Sequence, residues 1–126
     1  MKFVLDSSAL LAVLLVEPGR EKVLAHLADA TISAVNWAEV VTKLMRRKGS
    51  TDQVAAARRS VEGRIADFDR AQADKAGELV VVTEPFGLSL GDRACLALAL
   101  SRNARVLTAN RAWAGLDVGV GIEVIR

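Results

Sequence analysis

The chain of 126 residues has a single cysteine, Cys95, and a single histidine, His26. One cysteine cannot form an internal disulfide framework or a cysteine zinc site, and redox chemistry is not expected. The small and apolar neighbours of Cys95 indicate a buried hydrophobic position. Because His26 has no second histidine or cysteine as a partner, we expect a surface or half-buried helix residue rather than a catalytic base.

Long apolar runs are also missing. The longest, residues 9–16, is too short to cross a bilayer, and the residues before it do not resemble a secretory signal, because Asp6 interrupts them at once. We therefore expect a cytoplasmic protein without membrane association. No internal repeat, low-complexity tract or linker is visible, and 52% hydrophobic with 25% charged residues is ordinary for a globular protein. These features predict one domain over residues 1–126.

Positive charges only slightly outnumber negative charges, but they are clustered along the chain. The formal net charge is only +2. The lysines and arginines of the central part of the chain fall into two groups: Lys43, Arg46, Arg47 and Lys48, then Arg58, Arg59 and Arg64. Such clusters suit a polyanion such as RNA, with a solvated helix face as the alternative.

Helical patterns alternate with short β-compatible segments along the whole chain. The apolar runs predict strands over residues 3–5, 30–33, 64–68, 105–108 and 122–125. The helical periodicity predicts helices over residues 9–15, 20–28, 35–48 and 93–102, with two more begun by caps at Ser50 or Thr51 and at Asp69. Residues 79–83 show both a strand signal and a helical signal, and we predict a helix there. This alternation predicts an α/β fold with a mostly parallel sheet covered on both faces.

A carboxylate ends the first strand. The apolar run of residues 3–5 stops at Asp6, and an apolar helix follows, so Asp6 lies at a strand-to-helix turn. In open α/β sheets, ligands collect at the carboxyl ends of the strands. The alternative is that Asp6 or Ser7 only caps the helix.

Three further polar residues occupy comparable positions. Glu39 lies in an apolar stretch of the third helix, with an exposed ion pair to Lys43 as the alternative. Asp92 opens a helix of small apolar residues, with a reciprocal cap to Ser89 as the alternative. Asn110 follows the fourth strand, where it could simply form a turn. If these side chains and Asp6 converge at one sheet edge, their oxygens suit Mg²⁺ or Mn²⁺, which can promote phosphodiester hydrolysis.

Four stretches together carry a resemblance to a known family. They are residues 4–8, 33–40, 87–94 and 107–113, and they occur in the family's order and at its spacing. On these residues the chain resembles the PIN-domain ribonucleases and, within them, the VapC toxins of bacterial type II toxin–antitoxin systems. The resemblance implies a three-layer α/β/α sandwich and metal-dependent endonucleolytic cleavage of RNA. It also implies a homodimer and a cognate VapB-like antitoxin whose tail lies over the active site.

The resemblance also implies roles for individual residues. Asp6, Glu39 and Asp92 take the family's first three acidic positions, which bind Mg²⁺ or Mn²⁺. Ser7 and Thr108 match hydroxyl positions that support the site.

Asn110 departs from the family pattern, which usually has a fourth Asp there. A neutral amide oxygen is a weak ligand for a hard cation, so the second metal position is in question. The departure motivates a competing hypothesis of a catalytically weak PIN-like module that binds RNA or a partner. Phosphotransferases of the haloacid dehalogenase type are not favoured, since they need a second Asp where Ser8 stands. In the ribonuclease hypothesis, Arg46, Arg47 and Lys48 contact RNA phosphates.

Overall fold

The computed structural model describes residues 2–126, and Met1 lies outside the described residues. Within that range the chain forms one five-stranded sheet, with strands Phe3–Leu5 (β1), Ala30–Ser33 (β2), Ile65–Ala66 (β3), Arg105–Thr108 (β4) and Ile122–Val124 (β5). The strand order is β3-β2-β1-β4-β5, and every neighbouring pair is parallel. The predicted parallel sheet is confirmed.

Helices cover both faces of the sheet. Those within residues 2–126 are Ser7–Leu14 (α1), Arg20–His26 (α2), Ala34–Arg46 (α3), Thr51–Ser60 (α4), Arg70–Glu78 (α5), Val80–Thr83 (α6) and Leu90–Arg102 (α7). Short 3₁₀ turns extend over Leu27–Asp29, Glu84–Phe86 and Arg111–Gly115. None of the helices in this range is long and apolar enough to span a bilayer.

Side-chain alternation along the strands divides the core into two layers. Leu5, Ile32 and Leu107 face the layer of helices α1 to α4, whereas Val4 and Val106 face α7 and its neighbours. Because both faces of the strands are buried, the strands are apolar at successive positions. The result is the three-layer α/β/α sandwich that the family resemblance implied.

Several local predictions are confirmed. The hydroxyl of Ser50 caps α4 and the carboxylate of Asp69 caps α5, each by accepting a backbone N–H three residues on. The ambiguous residues 79–83 are helical in their greater part, as α6. Cys95 is free and buried, and His26 is half-buried, with its ring stacked on Phe3.

Several element boundaries differ from the predictions, and three of them show why. Helix α7 begins at Leu90, ahead of Asp92, because Ser89 caps it and places Asp92 in its first turn. Helix α3 ends at Arg46, before Lys48, since Lys48 adopts a left-handed backbone and the Gly49 N–H bonds back to a carbonyl within the helix. The predicted strand of residues 64–68 is only Ile65–Ala66.

The position of β1 determines where a ligand site can form. From β1 the chain builds the sheet to one side through β2 and β3, then returns to add β4 and β5 on the other side. The connections therefore diverge between the carboxyl ends of β1 and β4, which is where ligands bind in open parallel sheets. Asp6 follows β1 at this point, beside Thr108 at the end of β4.

Candidate active site

Asp6 is a buried carboxylate at the centre of the sheet edge, with 3% of its surface exposed. Its backbone extends the strand, since its N–H donates to the Leu107 carbonyl (3.0 Å). It occupies the cap position of α1, but its side chain makes no capping hydrogen bond. Instead, Asp6 Oδ2 accepts hydrogen bonds from Ser8 Oγ (2.6 Å) and Thr108 Oγ1 (3.0 Å). The fold therefore directs this carboxylate toward the β1–β4 divergence.

Ser8 and Thr108 are held in place by backbone groups of the segment after β4. Ser8 Oγ accepts the Ala109 N–H (2.9 Å), and Thr108 Oγ1 accepts the Asn110 N–H (3.1 Å). Sequence reasoning assigned the first supporting hydroxyl to Ser7, whose side chain makes no hydrogen bond within residues 2–126, and missed Ser8. Helical side chains lean toward the N-terminus, which could have indicated that a hydroxyl in the first turn of α1 reaches back to Asp6.

The second oxygen of Asp6, Oδ1, is buried and has no hydrogen-bond partner within residues 2–126. Burial raises the pKa of Asp6 above its ordinary value, and the negative charge of Asp92 raises it further. The hydrogen bonds from Ser8 and Thr108 lower the pKa, as does the nearby backbone N–H of Ser7, and together they offset part of this effect. An uncompensated buried charge is costly, so Oδ1 is suited to a cationic partner.

Glu39 and Asp92 lie on two different helices and are both half-buried. Glu39 Oε1 accepts a hydrogen bond from Asn36 Nδ2 (2.9 Å), and none of the ion pairs in the described part of the chain joins it to Lys43. Asp92 forms the reciprocal cap with Ser89 that was the alternative: its Oδ2 accepts the Ser89 N–H (2.9 Å) and its own N–H donates to Ser89 Oγ (3.2 Å). That cap engages only one carboxylate oxygen.

The three carboxylates share one hydrogen-bonding pattern. In each, one oxygen is hydrogen-bonded by the protein and the other has no hydrogen-bond partner among the described residues. The charges of all three also act on one thiol, that of Cys95, which lies one turn beyond Asp92 in α7. Burial raises the pKa of its thiol, and the charges of Asp6, Asp92 and Glu39 all raise it further.

The carboxylates do not form a closed metal site. Among residues 2–126, no three Asp, Glu, His or Cys side chains are arranged to hold an ion by themselves. The donor chemistry nevertheless fits Mg²⁺ or Mn²⁺, since all three groups are hard oxygen donors and Asp6 has an unpaired buried oxygen. The site is open and acidic.

Asn110 lies at the exposed rim of this site. Its Oδ1 accepts the Ala112 N–H (3.0 Å) and caps the 3₁₀ turn Arg111–Gly115, so the turn-forming alternative is confirmed. The amide oxygen retains a second lone pair.

The predicted RNA-binding residues are all exposed, but they occupy two kinds of structure. Arg46 is the last residue of α3, whereas Arg47 and Lys48 lie in the turn that follows.

The fold is a parallel α/β/α sandwich with a buried carboxylate at its β1–β4 divergence, and the sequence assigns it to a family. The model of the PIN domain matches residues 3–118, and the chain belongs to the PIN-domain family. Comparison with curated protein sequences finds no match.

Solved structures share the fold over nearly the full length. VapBC2 from Rickettsia felis, bound to a promoter DNA fragment, is similar with a TM-score of 0.73 and 21% identity, covering 98% of each chain. A toxin–antitoxin complex from Klebsiella pneumoniae has a TM-score of 0.72 and 22% identity, covering 99% of this chain and 98% of that one. VapC20 from Mycobacterium tuberculosis, a toxin that cleaves the sarcin-ricin loop, has a TM-score of 0.72 and 21% identity, covering 95% of this chain and 99% of that one.

The raised pKa of Asp6 predicts a pH-dependent effect of Asp6→Asn on stability. The folded state binds the proton of Asp6 more tightly than the unfolded chain, so the contribution of Asp6 to stability is greatest below its ordinary pKa of 3.8 and is lost as pH rises through the folded pKa. Asn carries no charge to bury. We expect Asp6→Asn to raise the melting temperature at neutral pH in a chelating buffer, and the gain to shrink as pH falls toward 4.

The matched control is Asp117→Asn, which removes a carboxylate that is exposed. A constant difference between Asp6→Asn and the parent protein across this pH range would contradict the burial argument.

Proposed function

We propose that this chain is a metal-dependent endoribonuclease toxin of the VapC type, which hydrolyses RNA phosphodiester bonds and is neutralised by a cognate antitoxin. The observation that carries the proposal is the buried Asp6 carboxylate, with one oxygen held by two hydroxyl groups and the other lacking a partner. A divalent cation supplies the charge that such an oxygen lacks. Membership in the PIN-domain family and the shared fold with VapBC proteins support the same function.

Asp6, Glu39 and Asp92 are the residues that would hold the ion, Mg²⁺ or Mn²⁺. The open arrangement suits Mg²⁺, which commonly keeps several waters and is bound through one or two carboxylates plus substrate phosphates. When bound, such an ion polarises the phosphate, lowers the pKa of a water molecule and stabilises the leaving oxygen. The chain itself contributes orientation: Ser8 and Thr108 fix Asp6 and favour its ionised form.

The experiment that tests the function is RNA cleavage by the purified, antitoxin-free protein with and without Mg²⁺ or Mn²⁺. We expect Asp6→Asn to retain the fold and to lose more than about 100-fold of the cleavage rate, since even residues that only support metal ligands are worth about 10- to 100-fold. Asp117→Asn is again the control and should cleave normally.

Unchanged cleavage by Asp6→Asn would remove Asp6 from the mechanism. Absence of metal-dependent cleavage by the parent protein would favour the alternative of a weak binding module.

A groove along α3 offers a path for the RNA backbone. It has a volume of about 430 Å³ and is lined by Val35, Ala38, Glu39, Thr42, Lys43 and Arg46. Glu39, Lys43 and Arg46 follow the helical spacing that places side chains on one face, so the two cations lie on the same groove as the acid. Glu39 and Arg46 are about 10 Å apart along the helix axis at 1.5 Å per residue. Of the three predicted RNA contacts, Arg46 alone lines this groove.

Paired substitutions can locate the RNA path. We expect Lys43→Gln with Arg46→Gln to weaken binding of single-stranded RNA and to reduce the slope of log affinity against log salt by about 1.4, because each neutralised phosphate contact contributes about 0.7. The matched control is Arg47→Gln with Lys48→Gln, which removes equal charge from the adjacent turn. Binding titrations over a salt series measure both. A larger change in the control pair would place the path over the turn.

Two apolar surfaces support the proposed protein partners. A groove of about 320 Å³ between α1, α3 and α4 is lined mainly by Leu14, Leu15, Leu44, Ala56 and Ala57, and it suits an apolar segment of a VapB-like antitoxin. Large apolar side chains are exposed at Val80, Val81, Val82, Phe86 and Leu90, and this surface suits a homodimer contact. We propose a cytoplasmic location, which the proposed RNA substrate and antitoxin support.

The alternative function is a PIN-like module that binds RNA or a partner with weak catalysis. The observation that favours it is Asn110, whose side chain is neutral and whose oxygen already accepts the Ala112 N–H. Two divalent ions carry four positive charges, and Asp6, Glu39 and Asp92 balance only three of them. A second ion is therefore held weakly, or binds together with the RNA phosphate.

Asn110→Asp tests this charge balance. We expect it to lower the Mg²⁺ or Mn²⁺ concentration at half-maximal cleavage, because it adds a negative ligand at the rim while an Asp oxygen can still accept the Ala112 N–H. Metal titrations of the cleavage rate in both proteins give the two midpoints. Equal midpoints would remove position 110 from the metal site, and loss of activity in Asn110→Ala alone would show that the amide has a separate role.

A further inference from the structure

Asn36 is a buried polar residue one turn before Glu39 on α3, with 0% of its surface exposed. Its Nδ2 donates to Glu39 Oε1 (2.9 Å) and to the carbonyl oxygen of Gly91 in α7 (2.9 Å). One amide group thus uses both of its hydrogens to connect the Glu39 carboxylate to the first turn of the helix that carries Asp92. Within residues 2–126, Asn36 is the only side chain that donates to Glu39.

Gly91 provides the space for this contact. A Cβ at position 91 would lie 2.7 Å from Glu39 Cδ, with the carboxylate oxygens as its other nearest neighbours. Any side chain there would push the Glu39 carboxylate away from α7. Gly91 is buried and its backbone is not in a left-handed conformation, so close approach to Glu39 explains its lack of a side chain better than backbone geometry does.

Structural needs of α3 do not account for Asn36. The helix is already capped by Ser33, whose hydroxyl accepts the Val35 N–H, and Asn has a lower helix propensity than Leu or Ala. Asn36 Oδ1 is moreover buried without a hydrogen-bond partner. Burying such an oxygen costs free energy, so an apolar residue would give a more stable helix face.

We propose that Asn36 is a positioning residue for the metal site and that Gly91 is its steric counterpart. By holding Glu39 Oε1, the Asn36 amide orients the Glu39 carboxylate over the first turn of α7 and leaves Oε2 free for the divalent cation that Asp6, Glu39 and Asp92 would hold. The inference rests on the proposed metal-dependent function and adds the residues that orient its acid.

The decisive measurement is Mn²⁺ binding by titration calorimetry, without RNA and without turnover. Asn36→Leu keeps the same branched arrangement of side-chain heavy atoms but removes both donors, and we expect it to fold at least as stably as the parent while binding Mn²⁺ about 10- to 100-fold more weakly. Gly91→Ala should weaken binding in the same direction by displacing Glu39. Ser101→Ala is the matched control, since it removes an exposed hydroxyl from the far end of α7 and should leave affinity unchanged.

A double-mutant cycle shows whether Asn36 acts through Glu39. In a Glu39→Ala background, Asn36→Leu should cause no further loss of Mn²⁺ affinity, whereas an additional tenfold loss would indicate a general structural effect and overturn the proposal. Equal Mn²⁺ affinity of the parent protein and Asn36→Leu would overturn this inference alone. A parent protein that binds no Mn²⁺ would overturn both the inference and the proposed function. If Asn36→Leu does not fold, the Mn²⁺ affinity of Gly91→Ala tests the inference instead, because this substitution displaces Glu39 and leaves Asn36 in place.

Discussion

Burying the Asp6 carboxylate at the end of the central strand is the constraint on which the site depends. A carboxylate with 3% exposure has lost nearly all of its hydration. The hydroxyl groups of Ser8 and Thr108 replace part of that hydration by donating hydrogen bonds to one of its oxygens. Those two donors come from α1 and β4, so the carboxylate is held only if β4 lies directly beside β1. The parallel sheet order provides that adjacency, and the topology is therefore part of the chemistry of the site.

The other two carboxylates are less buried than Asp6. Glu39 and Asp92 are half-buried on separate helices, each with one oxygen bound by the protein and one free. Solvent screens half-buried charges better than buried ones, so placing Glu39 and Asp92 there costs less than burying all three carboxylates would. The neutral side chain of Asn110 limits the charge further. Under the proposed function, this arrangement lowers the free-energy cost of the acidic site to the metal-free protein. It also weakens the binding of a second ion.

Buried polar groups without hydrogen-bond partners mark the places where this fold departs from optimal packing. The described residues include Asp6 Oδ1 and Asn36 Oδ1 among such groups, and both belong to side chains at the acidic site. Natural proteins commonly retain costly local arrangements where function requires them. The stability lost at Asp6 and Asn36 is offset by the two apolar layers, in which Leu5, Leu10 and Leu96 are almost fully buried.

The sequence by itself determined the order of the elements, the parallel sheet and most of the caps. Apolar strands of three to five residues, helical spacing, and hydroxyl or carboxylate residues before helices are local signals, because they depend on neighbours in the chain. Asp6 stood out for the same reason, as a charge that ends an apolar strand. The ends of α3 and α7 were less predictable, since a left-handed residue or a cap moves a boundary by two or three positions.

Only the tertiary structure decided which side chains meet. The bond from Thr108 to Asp6 joins residues 102 apart, and the bond from Asn36 to Gly91 joins residues 55 apart. Periodicity and propensity do not encode such contacts, because they describe the chain within a few turns of helix or strand. For this reason the choice of Ser8 over Ser7 beside Asp6 and the contact of Gly91 with Glu39 emerged only when the layers were packed together.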